Sequence, residues 1–169
     1  MELNKADKIY SRVYLKILNF LSFSKRSTNE ITDKIGKYLF KEHIPLREKE
    51  IIKDKVISNL KSDGYIKETT DYDYSILYLD SLKKSPKPFN AINIRRFLSK
   101  KGISEEIIAD VLENLDESSV YESVLKDAKK KLKYMPDNNV YLKKKKLTGY
   151  LYRKGYPFDV VSSVVDTLM

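Results

Sequence analysis

The sequence predicts an all-α protein, three tandem three-helix modules forming an elongated array. Three observations lead there. An apolar framework returns at fixed offsets along the chain, which marks a repeated structural unit. Within each copy the apolar residues keep the 3,4 spacing of a helix face. A residue able to take a left-handed conformation stands between the last two helices of each copy. No stretch of strand-like alternation competes at comparable length.

The first module is expected over residues 7–66. Ile9 to Leu21 carries Val13, Ile17, Phe20 and Leu21 on one stripe. A second helix starts at Ser27-x-x-Glu30, a capping-box pattern, and carries Ile35, Tyr38 and Leu39. Its turn falls at His43–Ile44, where the other copies have glycine. Histidine is among the non-glycine residues enriched at positive φ, so His43 is expected to cap there. Four extra residues follow within "PLREKE" before Ile52, Val56, Ile57 and Leu60 resume the pattern. "LKSDGYI" ends that helix, with Gly64 as the left-handed residue and Leu60 and Tyr65 as the flanking apolar pair.

The second module is expected over 71–116 and the third over 119–169. Tyr74 to Leu82 opens the second, with Leu79 and Leu82 apolar. Val120 to Leu132 opens the third, behind Ser119-x-x-Glu122, again a capping-box pattern. Ile94, Phe97 and Leu98 are matched 53 positions on by Leu147, Tyr150 and Leu151. Gly102 and Gly155 match as the turn glycines, followed by Ile103 and Tyr156. Ile107, Ile108, Val111, Leu112 and Leu115 match Val160, Val161, Val164, Val165 and Leu168. Each pair of helices thus brackets a tight turn of the Schellman type.

Composition bounds the chemistry. There is no cysteine and one histidine, so thiolate metal sites, disulfides and Cys–His catalysis are excluded. Five scattered glycines form neither a P-loop nor a dinucleotide fingerprint. The acidic trio Asp71, Asp73 and Asp80 reads as helix-start carboxylates complementing a dipole rather than a Mg²⁺ site. No catalytic, cofactor or metal-binding residue is expected, and the chain reads as a binding protein. The N-terminus "MELNKADKIY" lacks an apolar signal core, and no apolar run could span a bilayer. A cytoplasmic monomer without membrane attachment is therefore expected.

Charge points to the partner. The formal net charge is +9, and Ser119 to Met169 holds 11 Lys+Arg against 5 Asp+Glu. The excess lies in "KDAKKKLK" and "KKKK", a bias suited to a polyanion or an acidic protein surface. Candidate contact residues are Lys130, Lys143, Lys144, Lys145, Lys146, Arg153 and Lys154. Arg95, Arg96, Lys100 and Lys101 extend the set, because Lys100 and Lys101 fall on Arg153 and Lys154 in the repeat. Most of the 13 tyrosines and 6 phenylalanines sit on apolar stripes and read as core; Tyr141 and Tyr152 stay open for stacking on bases.

"KRSTNEITDKI", "LKSDGYI", "IRRFLSKKGISEEIIADVLENL" and "LYRKGYPFDVVSSVV" resemble, in that order, the segments of the RecX family. The chain departs from the family pattern at Asn90-Ala91, where Gly-Pro is usual, at His43, and at Lys67-Glu68, where an acidic pair is common. The resemblance implies a regulator of homologous recombination, DNA repair and the SOS response. Its partners would be the RecA recombinase filament and single- or double-stranded DNA. It would inhibit the filament's ATPase and strand exchange with no cofactor of its own. The alternative is a direct DNA-binding helical-repeat or helix-turn-helix-like regulator. Against groove reading, neither Ser104 to Leu115 nor Phe158 to Leu168 contains a lysine or arginine.

Overall fold

The computed structural model describes residues 4–136 and 139–169, and among these the chain is all-α, with nine helices and no strand. The described residues up to Tyr74, together with Lys101–Ile103, form one compact unit; Ser75–Lys100 and Ser104–Met169 form another.

In the first unit α1 (Lys5–Phe23), α2 (Thr28–Phe40) and α3 (Leu46–Ser62) pack on one another pairwise. Their apolar stripes meet in a core of Ile9, Val13, Ile17, Ile31, Ile35, Leu39, Ile52, Val56, Leu60 and Ile66. Each such side chain taken from water contributes roughly 1.5–3 kcal/mol. Ser27 caps α2 as the sequence predicts, accepting from the Glu30 amide at 3.2 Å while the Glu30 carboxylate accepts from the Ser27 amide. Asp71 adds an acceptor at the same helix end, 2.7 Å from the Thr28 amide, which gives this carboxylate the ordinary dipole role. α3 ends in a Schellman cap, with Tyr65 N–H donating to Leu60 O at 2.8 Å and Gly64 N–H to Lys61 O at 3.0 Å.

His43 does not cap. Among the described residues the only positive φ angles belong to Gly64, Gly102 and Gly155, at 76°, 75° and 84°. α2 closes at Phe40 with Lys41 still right-handed, and Glu42 N–H donates to Leu39 O. The four extra residues explain the difference: they let the chain reverse over five positions, so no single residue must go left-handed. Pro45 then starts α3 with its fixed φ and holds Ile44 out of the helical region.

The Lys101–Ile103 segment packs against the start of α2. Ser27 Oγ donates to Lys101 O at 2.8 Å, and Lys101 Nζ pairs with Glu30 at 2.5 Å. A Cβ placed on Gly102 would lie 2.5 Å from Asn29 Cβ, so glycine is needed both for its φ and for its size.

The second unit holds α5 (Ala91–Lys100), α6 (Glu105–Glu113), α7 (Glu117–Leu132), α8 (Val140–Arg153) and α9 (Phe158–Leu168), with α4 (Thr70–Lys83) contributing from Ser75 onward. α5 and α6 bury Ile94, Leu98, Ile108 and Val111 completely, and Phe97 stacks on Tyr78 of α4 at 4.0 Å between centroids. α7, α8 and α9 enclose a core of Val124, Ala128, Leu147, Leu151, Tyr156, Val161, Val164 and Val165. The expected cap at Ser119 is corrected: α7 starts a turn earlier, with Asp116 accepting from the Ser119 amide at 2.9 Å. Asp116 is the better cap because its second oxygen also meets Lys83 at 2.5 Å. That ammonium, with the Ser119 and Ser118 contacts, holds its carboxyl well below the usual range.

Candidate functional site

α8 carries two faces with opposite tasks. Leu147 and Leu151 point into the core and are fully buried. Leu142, Lys145, Lys146, Gly149 and Arg153 follow one another at intervals of 3, 1, 3 and 4 on the outer face and line an open groove of about 570 Å³. Lys131 and Met135, from the end of α7 and just beyond it, form the opposite wall. Among the described residues Lys145, Lys146 and Arg153 make no ion pair, and Lys131 Nζ lies 5.0 Å from the centroid of the half-buried Tyr150 ring. Three uncompensated cations along about 12 Å of helix raise the local positive potential and favour an anion between them.

The other candidates divide sharply. Lys154 turns inward: its ammonium lies 2.6 and 2.8 Å from the two oxygens of Asp127, which is 2% exposed. The hydroxyls of Tyr150 and Tyr156 donate to the same carboxylate at 3.2 and 3.1 Å. Burial, the largest single influence, would lower the Lys154 pKa, but the hydrogen bonds and charge interactions with Asp127 and Tyr150 together outweigh it and raise it. Lys144 pairs with Asp166 of α9 at 2.6 Å, Arg95 with Glu105, and Lys101 with Glu30. Lys143 is half-buried and engaged as well. Lys130, Arg96 and Lys100 are exposed and make no ion pair among the described residues.

Lys131, not Lys130, therefore faces the groove, and spacing supports this, since Val124, Ala128 and Lys131 run at 4 and 3 on the core-side stripe of α7. Gly149 and a second basic concavity, lined by Lys25, Arg26, Lys67 and Asp73 in the first unit, were not legible as site features. Arg26 there lies 4.4 Å over the Phe20 ring and leaves its Nε buried without a partner among the described residues. Among those residues no cluster of His, Cys, Asp or Glu could hold a metal ion, and no helix is long and apolar enough to cross a membrane.

Comparison with known proteins agrees with the repeat. Residues 117–165 match the third three-helix domain of RecX. The regulatory protein RecX of Bacillus mycoides is 30% identical over 160 residues, and that of Bacillus cytotoxicus 27% over 157, each alignment covering 93% of this chain and 54% of the relative. The fold is similar to that of RecX from Lactobacillus salivarius, with a TM-score of 0.71, 24% identity and coverage of 96% of this chain and 97% of that one. A second RecX crystal structure gives a TM-score of 0.70 at 22% identity, covering 98% of this chain and 79% of that one. The chain is similar to RecX proteins along nearly its whole length, with a RecX three-helix domain at residues 117–165. It spans about half the length of the Bacillus RecX proteins it matches. RecX relatives carry the name of regulatory proteins, and the basic groove lies within the stretch matched to the third RecX domain.

Proposed function

We propose that this RecX-like protein binds the RecA–DNA filament and restrains it, inhibiting its ATPase and strand exchange without a cofactor or catalytic residue of its own. Likeness to RecX supports the partner, and the α7–α8 groove is the observation that carries the contact. It presents Lys131, Lys145, Lys146 and Arg153 to solvent, where Lys101, Lys144 and Lys154 are occupied in internal pairs. The modules that deliver it are assigned to 7–66, 71–116 and 119–169, the protein acts as a monomer, and its place is the cytoplasm, where the recombinase works.

The runner-up, a helix-turn-helix reader of duplex DNA, draws less support. The helices that follow the tight turns, α6 and α9, contain no basic residue and carry Glu105, Glu106, Asp110, Asp159 and Asp166. Negative helices are repelled from a groove walled by phosphates. The discriminating experiment is a pull-down against preformed recombinase–single-stranded-DNA filaments, naked DNA and recombinase alone. Capture on the filament above both controls supports the regulator. Equal capture on naked duplex supports the alternative.

A further inference from the structure

We propose that the α7–α8 groove holds one unpaired strand of nucleic acid, with a phosphate seated over the bare backbone at Gly149. The proposal deepens the regulator reading, on which it rests for the identity of the polymer, by naming the chemistry that the third three-helix bundle meets on its filament.

Gly149 is the starting point because the fold gives no reason for it. It lies in the interior of α8, where glycine is a poor helix former. Its φ is not positive, and an added Cβ would meet nothing except Arg153 Nη1 at 3.4 Å. Alanine would therefore fit and would strengthen the helix. Gly102 and Gly155 differ, since a Cβ there would lie 2.5 Å from Asn29 and 2.2 Å from Ile92. What Gly149 does provide is an approach: it removes the side chain at the middle of the groove, between Lys145 and Lys146 on one side and Arg153 on the other. An anion resting on that gap reaches both lysines' ammonium groups and the forked guanidinium, which suits a tetrahedral phosphate oxygen cluster.

The rim selects a single strand. Tyr141 and Tyr152 are 73% and 60% exposed. With Lys145 they run at 0, 4 and 11 along the edge of the groove, so a lysine stands between two aromatic rings over about 16 Å of helix. Exposed tyrosines beside backbone-tracking cations are the ingredients of single-strand binding, in which rings stack on unpaired bases. In a duplex the bases are stacked on one another and offer these rings no face. Tyr152 already meets the Phe158 ring edge-on at 6.5 Å, which holds its ring at the rim; an acidic protein segment would satisfy the cations and leave Tyr141 and the bare glycine unexplained.

The test uses the full chain. It has no tryptophan, so its emission is tyrosine emission and quenching reports stacking. Binding to a labelled oligo(dT) of about 15 nucleotides is followed by anisotropy and by quenching, beside a duplex of equal length and poly-glutamate. Parent protein is expected to bind oligo(dT) at least tenfold tighter than either. Gly149→Ala should melt at the same or a higher temperature and bind oligo(dT) three- to tenfold more weakly. Tyr141→Leu/Tyr152→Leu should lose most of the quenching. Changing Lys145, Lys146 and Arg153 to Gln should flatten the slope of log K against log salt by about 2, at roughly 0.7 for each phosphate no longer neutralised. If Gly149→Ala binds oligo(dT) as tightly as the parent, or if poly-glutamate or duplex competes equally, the proposal is overturned. Recombinase ATPase separates the two readings. Inhibition by a parent protein that ignores oligo(dT) removes the groove proposal and keeps the regulator; oligo(dT) binding without any ATPase effect does the reverse.

Discussion

Replacing Asp127 by alanine removes the acceptor on which α7, α8 and the α8–α9 turn converge. Three donors lose their partner, with unequal consequences. The Lys154 side chain is 38% exposed and can turn its ammonium to water, so its loss is modest. Tyr150 is half-buried and recovers part of its hydration. Tyr156 is 3% exposed, and its hydroxyl is left in the core, at a cost of about 1–3 kcal/mol for a stranded donor. A small cavity where the carboxylate stood adds to this, while the removed desolvation of the charge subtracts. The net expectation is a destabilisation of roughly 2–4 kcal/mol. For a chain of this size that lowers the melting temperature by about 5–12 °C, read by circular dichroism at 222 nm. Lys154→Gln should cost less alone than Asp127→Ala and nearly nothing in the Asp127→Ala background, a coupling of about 1–3 kcal/mol. Asp127→Ala within about 0.5 kcal/mol of the parent, or strictly additive costs, would refute this picture of the network and return Lys154 to the set of exposed contact residues.

Ser27→Ala removes both a capping-box acceptor and the hydroxyl that donates to Lys101 O, and should cost about 1–2 kcal/mol by urea unfolding. Gly102→Ala should cost more than Gly64→Ala, at least 1–2 kcal/mol against about 1 kcal/mol, since both need positive φ and only the Gly102 Cβ runs into a neighbour. High pH should destabilise the protein. Burial raises the Tyr156 and Tyr14 phenols, and Lys154 and Lys101 are raised by their carboxylate partners, so in each case the folded state holds its proton more tightly. That contribution is complete below the unfolded values near 10 and is lost as pH rises through the folded ones; a melting temperature that stays flat from pH 8 to about 11.5 would contradict it. Asp116 works oppositely: its lowered carboxyl contributes above pH ~4 and loses that contribution on acidification, so Asp116→Asn should flatten the acid limb.

The repeat was legible because it is written in local spacing. Ile94, Leu98, Leu147 and Leu151 are all fully buried, and the turn glycines are left-handed, because a 3,4 pattern and a cap depend on residues within a few positions. His43 misled for the same reason: the pattern assigned it a glycine's place, while the four inserted residues relaxed the turn that needed one. Ser119 lost the α7 cap to Asp116, whose advantage includes Lys83, 33 positions away. The basic residues show the limit most plainly. Spacing puts Lys145, Lys146 and Arg153 on one face, but only the fold reveals that Lys154 is held by Asp127, 27 positions back, and Lys101 by Glu30, 71 positions back. Charge counts add such residues to a surface patch when their charge is already neutralised. Gly149 failed to register because a lone helical glycine carries no local signal; its meaning lies in the side chains gathered around it.

The most direct test of the regulator reading is the single-stranded-DNA-dependent ATPase of RecA, titrated with the parent protein and with the Lys145→Gln/Lys146→Gln/Arg153→Gln variant at several salt concentrations. The parent is expected to suppress the ATPase, with salt weakening that suppression steeply. The variant should need a several-fold higher concentration and show a shallower salt dependence while its melting temperature is unchanged. An ATPase indifferent to the parent would contradict the regulator reading; equal suppression by parent and variant at every salt concentration would keep the regulator and remove the α7–α8 groove as its contact.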